Sequence, residues 1–177
     1  MRSKQNTLGY LVRPIPAALK LVIMSIVVAG SSISAASEAE IIKVPVVQDL
    51  QSDSEQARNK GLVLLLIVSS TDCGFCERLK REIIRPIIAS GAYQDKVLIR
   101  ELLLDRGMNI TDFDGTQTTA VAIAGRYDEG LTPTVLFLSP QGLELTARRR
   151  GINSVEFYHH YLDKAIDKAL LALAHTE

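Results

Sequence analysis

The sequence contains no tryptophan, and among its 177 residues only two are cysteines and three are histidines. A zinc centre built on Cys73 and Cys76 would need two further ligands. His159, His160 and His175 all fall near the C-terminus without the usual pair spacing, so no metal is expected, and nothing else calls for a cofactor. Basic runs are limited to Arg148-Arg149-Arg150, at a strand end where a solvated charge cluster is the ordinary outcome. Nucleic acid is not implied. There is no internal repeat and no low-complexity segment. An apolar content of 47% argues against disorder, and the length suits one domain with a real core.

The formal net charge of zero hides an asymmetry. Residues 1–36 carry Arg2, Lys4, Arg13 and Lys20 and no acid, which leaves 16 basic against 20 acidic residues in the remainder. A basic start, the apolar run Leu21 to Ala29 and the small residues Gly30 to Ala36 together read as a secretory signal peptide over 1–36. Ser34 and Ala36 occupy the two positions that must be small, which places cleavage after Ala36 and a mature domain over 37–177. The alternative is an N-terminal membrane anchor, although the apolar run is short of the ~20 residues a spanning helix requires. Export places the chain where disulfides persist, so two cysteines read as redox partners.

The organising stretch is Ser69 to Glu77, which holds Cys73-Gly74-Phe75-Cys76 between an unbroken apolar run and a helical pattern. Leu62 to Val68 has no polar residue, as expected of a strand buried on both faces. A cysteine at the turn from strand into helix has its sulfur beside the unpaired N–H groups of the first helical turn, which favour thiolate over thiol. Cys76, three residues on and along the same face, can close a small ring with Cys73 or attack a mixed disulfide formed there. A purely structural role fits less well, because a four-residue ring constrains the unfolded chain little.

Around this stretch, Ile41 to Val47 suits an edge strand, since Lys43 and Pro45 interrupt it. Asp49 to Lys60 reads as a surface helix with Leu50 and Ala57 inward and Gly61 as its stop. Phe75, Leu79, Ile83 and Ile87 form the apolar stripe of the next helix, which Pro86 should kink or interrupt and Gly91 should end. Val97 to Leu104 is a strand, and Arg106 to Thr118 is a polar insertion with a turn signal at Asp112 to Gly115. A short helix over Ala120 to Tyr127 leads through Gly130 into Leu131 to Leu138, where Pro133 precedes a strand. Ser139 to Gly142 forms a tight turn into a returning strand whose Leu143, Leu145 and Ala147 face inward. Asn153 with Glu156 forms a capping-box-like start to a final helix, whose stripe is Tyr161, Leu162, Ala165, Ile166, Ala169, Leu170 and Leu173.

This order of elements resembles the thioredoxin fold from about residue 41 to 174. Its specific parts are Cys73-Gly74-Phe75-Cys76, the Thr132-Pro133-Thr-Val-Leu-Phe-Leu strand and Gly151 after the hairpin, and the chain looks like an exported bacterial thioredoxin-like protein. The resemblance implies an α/β fold with a central mixed sheet flanked by helices and an insertion before the strand that Pro133 opens. It also implies that Pro133 is cis and sits against the cysteine pair, leaving the Thr132 backbone free to pair with an extended substrate, with Gly74 and Phe75 beside it. The two-residue spacing separates this chain from the copper-delivery relatives, whose cysteines stand three residues apart.

Three departures from the family bear on chemistry. Asp72 replaces the tryptophan before the first cysteine and opposes thiolate formation by like-charge repulsion. Ile67 stands where the family has a buried acid, so proton transfer to or from Cys76 must use water or another group. Gly74-Phe75 supplies no histidine to stabilise the Cys73 thiolate, which favours a reductant or mild exchanger over a strong oxidant. The expectation is a monomeric periplasmic thiol–disulfide oxidoreductase that acts through Cys73 and Cys76 on exported proteins bearing cysteines or disulfides. A membrane or periplasmic redox protein would recycle it. The alternatives are a redox-inactive binding or chaperone module with the same fold and a disulfide-forming oxidase.

Overall fold

In a computed structural model of the protein, residues 42–175 are described. The leader and its cleavage site lie outside them. Helix α1 (Leu50–Lys60) starts where the Asp49 carboxylate accepts the Ser52 N–H and stops at Gly61, whose φ of +64° is the left-handed turn glycine adopts without penalty. Strand β1 (Val63–Ser69) follows, buried at every position. It pairs in parallel with β2 (Val97–Leu103) and antiparallel with β5 (Thr134–Leu138), and β5 carries the two-residue strand β6 (Arg149–Arg150) on its other side. The sheet order is therefore β2-β1-β5-β6, a mixed sheet with β1, the strand that leads into the cysteines, inside.

The unbroken apolar run of β1 divides between two cores because successive side chains point to opposite faces. Val63, Leu65 and Ile67 join Leu79, Ile83, Phe137, Leu162 and Ile166 on one side. Leu64, Leu66 and Val68 join Leu50, Ala57, Ile123 and Leu136 on the other. Helix α5 (Val155–Ala174) covers the first face and α1 with α4 (Ala120–Gly125) the second. Truncating Leu65, 1% exposed, to alanine should cost about 2–5 kcal/mol.

The helix after the cysteines is interrupted, as Pro86 requires. It runs as α2 (Gly74–Leu79), a π-helical turn over Lys80–Ile84, and α3 (Arg85–Ser90), which ends at Gly91. Pro86 has no N–H to offer, and the Arg85 N–H reaches back to the Lys80 carbonyl, widening the turn just ahead of it. The stripe is buried at Leu79, Ile83 and Ile87 but not at Phe75, which is 63% exposed. The polar insertion folds into a hairpin of β3 (Asn109–Thr111) and β4 (Gln117–Thr119). Its tip packs on the next turn: a Cβ on Gly142, whose φ is +80°, would stand 3.0 Å from the Phe113 ring.

Four expectations need correction. Val46 makes only an isolated parallel bridge to Glu101 beside β2, so the Lys43 to Val47 stretch is an extended edge segment and not a strand; Pro45 accepts there but cannot donate. The returning strand breaks after Glu144, because Arg148 turns back to pair with that residue, and Leu143 and Ala147 are exposed while Leu145 packs inward. The last helix is headed by Ser154, with no side-chain cap, and not by a box of Asn153 with Glu156. Tyr158 takes the buried place expected of Tyr161, which is 48% exposed.

Candidate functional site

The site forms where β1 ends. Thr71, in the turn after Ser69, donates its N–H to Asp105 Oδ2 at 2.8 Å and its hydroxyl to the same oxygen, so the turn is tied to the end of β2. Those two bonds, the hydroxyl's first, hold the Asp105 carboxyl below its ordinary pKa. Cys73 is the N-cap of α2, and its Sγ accepts the Cys76 N–H at 3.1 Å. An otherwise orphaned first-turn donor therefore points at sulfur. Cys73 is half-buried and Cys76 is fully buried, and a disulfide joins them with Cα atoms 5.2 Å apart.

The Thr132–Pro133 peptide is cis, and the Thr132 hydroxyl lies 3.5 Å from Cys73 Sγ. The proline segment and the cysteine turn are thus brought together across 59 residues of chain. Gly74 and Phe75 are exposed on the same turn, and Leu131, next to Thr132, is 65% exposed. Asp72 is also exposed. His159 and His160 lie on α5 and His175 at its end.

Several charged residues at the site were not legible in the sequence. Ile67 is wholly buried, and its partner across the strands is Glu101, 4% exposed. Glu101 accepts from Lys80 Nζ at 2.8 Å, and Lys80 also meets Glu77 at 2.5 Å. Burial opposes the Lys80 charge, but these bonds outweigh it and hold its pKa above the ordinary value. Glu77 is held below its ordinary pKa, chiefly by the Lys80 hydrogen bond. A polar cavity of about 230 Å³ opens here, walled by Thr71, Glu77, Lys80, Glu101 and Arg106 among others.

Behind the proline segment, Glu129 has a side chain only 1% exposed. One oxygen accepts the Leu131 N–H at 2.9 Å and the other accepts from Arg150 Nε at 2.8 Å, with Arg148 at 3.5 Å. Burial pushes the Glu129 pKa up, yet the Leu131 N–H and the two guanidiniums more than offset it and leave the carboxyl below its usual range. The arginine run is therefore not a merely solvated cluster: Arg148 and Arg150 brace the loop that presents Thr132 and Pro133. The sequence signal was three arginines with an acid two residues before Leu131, but pairing across 21 residues leaves no periodicity to read.

A mixed sheet flanked by helices, with a disulfide-bonded cysteine pair at a helix head facing a cis-proline, defines a thioredoxin-fold protein. Residues 50–166 match the thioredoxin-like domain family, and the chain belongs to it. Among solved structures, one described as DsbH oxidoreductase is 12% identical, with a TM-score of 0.53, covering 72% of this chain and 88% of that one. Oxidised thioredoxin O2 from Arabidopsis thaliana is 18% identical with a TM-score of 0.48, covering 68% of this chain and 92% of that one. The reduced periplasmic thioredoxin SoxS from Paracoccus pantotrophus is 17% identical with a TM-score of 0.41, covering 60% and 98% respectively. No curated protein sequence matches significantly.

Proposed function

We propose that this protein is an exported thiol–disulfide oxidoreductase that reduces or exchanges disulfides in proteins of the periplasm. The observation that carries the reading is the asymmetry of the pair: half-exposed Cys73 accepts a helix-head N–H, while Cys76 is fully buried behind it. In the reductive direction the Cys73 thiolate attacks one sulfur of a substrate disulfide and releases the other as a thiolate. The Cys76 thiolate then attacks Cys73 Sγ, releasing the second substrate thiolate and leaving the Cys73–Cys76 disulfide. Two electrons have passed to the substrate, and a separate dithiol protein must return them. The Thr132 backbone beside the cis peptide offers hydrogen bonds to an extended substrate segment, with Gly74 and Phe75 on the opposite lip. DsbH, of matching fold, is itself named an oxidoreductase, in keeping with this reading. Insulin reduction with dithiothreitol tests it. Acceleration that disappears in Cys73→Ser is expected, and a chain that binds without turnover would give none.

A further inference from the structure

Arg148 and Arg150 are taken up by Glu129 and Glu144, but Arg149, between them, faces the other way. Among the described residues it has no carboxylate within ion-pair distance, and its guanidinium lies 4.7 Å from the Tyr161 ring centre. It walls a cavity of about 250 Å³ together with Arg150, Ser154, Phe157, Tyr158 and Tyr161. Three features of this cavity ask for an oxyanion. The charge of Arg149 is unneutralised. The head of the 20-residue helix α5 opens onto it at Ser154 with no side-chain cap on its first-turn N–H groups. Most telling, Tyr158 is 5% exposed and its buried hydroxyl has no hydrogen-bond partner.

A buried hydroxyl left without a partner is costly, and this one belongs to a cavity whose wall also holds the Arg149 guanidinium and the head of α5. Burial raises the Tyr158 pKa to about 12, so at neutral pH it carries its proton and can donate it. Phe157, 59% exposed, and Tyr161 supply an apolar rim for the carbon next to an acidic group. Glu156, the acid in the first turn of α5, is not among the walls.

The cavity is joined to the proline segment. The Gly151 N–H donates to the Pro133 carbonyl at 2.8 Å, and Arg150 is the register partner of Thr134. We infer that the Arg149–Tyr158 cavity is a subsite for a carboxylate carried on the partner polypeptide, an Asp or Glu in the same extended segment that lies along Thr132–Pro133. The inference rests on the proposed oxidoreductase function for its partner, and the cavity itself stands apart from the cysteine chemistry.

The test uses peptides that carry one cysteine as a mixed disulfide with cysteamine, with a single Asp moved stepwise along either side and matched Asn peptides as references. At one register the Asp peptide should react with the reduced protein roughly fivefold faster than its Asn twin, the size expected of a charge-assisted hydrogen bond at a half-open site. That ratio should collapse towards one in Arg149→Gln and fall in Tyr158→Phe. Tyr158→Phe separates a built site from general attraction, because it changes no charge and should leave the melting temperature unchanged or raised. An Asp preference that is the same at every register, or one that survives Tyr158→Phe, overturns the inference. If no peptide disulfide is reduced at all, the oxidoreductase reading fails instead. The cavity is then decided by titrating the oxidised protein with the cysteine-free Asp peptide, where shifts of the Gly151 and Tyr158 resonances support it and their absence overturns it.

Discussion

Arg150 donates from Nε to Oε2 of Glu129 at 2.8 Å, and through that contact an edge strand of the sheet holds the loop that presents Thr132 to Cys73. The other Glu129 oxygen is occupied by the Leu131 N–H, so one carboxylate fixes the loop from both ends. Glu129→Ala should lower unfolding free energy by about 3 kcal/mol, as expected when one partner of a buried ionic cluster is removed. Glu129→Gln keeps an acceptor for Leu131 and should cost less, about 1–2 kcal/mol. Urea denaturation of the three proteins checks the order.

Acid should destabilise the fold through the same carboxylates. Glu77 and Glu129 have pKa values below those of the unfolded chain, so in mildly acid solution the unfolded state binds more protons. Their contribution is present above the ordinary carboxylate range and is lost as pH falls through it. Lys80 is shifted upward, so its contribution is complete below its ordinary value of 10.5 and is lost only as pH rises past that. Urea midpoints should be flat between about pH 6 and 9 and fall below about pH 4.5, with a shallower fall in Glu129→Gln.

The two cysteines should behave differently when each is replaced. Cys76→Ser keeps the sulfur that accepts the helix-head N–H and removes the one that resolves the mixed disulfide, so substrates should accumulate on it covalently. Cys73→Ser leaves only a fully buried thiol and should trap little. Non-reducing electrophoresis of periplasmic extracts followed by identification of the adducts reads both. Equal trapping would mean that Cys76 is also reached by bulky disulfides.

Asp72, exposed beside Cys73, should raise the thiol's pKa by like-charge repulsion, and Asp72→Asn should lower it. With no histidine between the cysteines, the reduction potential should lie below about −180 mV, on the thioredoxin side of disulfide isomerase. Equilibration with glutathione measures it. A value near about −120 mV would reverse the assigned direction of electron flow.

The leader reading predicts a mature chain that begins at Ser37, to be checked by N-terminal sequencing of protein from a periplasmic extract. A membrane-bound product that retains Leu21 to Ala29 would instead establish an anchor.

What could be read in the sequence was local. The Cys73 and Cys76 spacing, the doubly buried Leu62 to Val68 run, the Gly61 and Gly91 stops and the interruption at Pro86 each depend on neighbours within a turn or two, and each is found in the structure. The pattern misled where a polar residue finds its partner far away. Helical spacing puts Lys80 off the apolar stripe of Leu79 and Ile83, yet Glu101 on β2 draws it inside. Arg148 and Arg150 read as solvated because Glu129 lies some twenty residues earlier, and Tyr161 displaced Tyr158 in the predicted stripe because each stands four residues before a buried position, Ala165 and Leu162 respectively. Tertiary pairing of charges has no period, so only the folded chain reveals it.

The disulfide closes a ring of four residues and crosses no other part of the fold. Oxidation therefore adds no long-range tether to the chain, and the unfolded ensemble loses little freedom when it forms. So local a ring can open and close without asking any other segment to come apart and find its place again, which is what the proposed exchange would demand of the fold at every cycle.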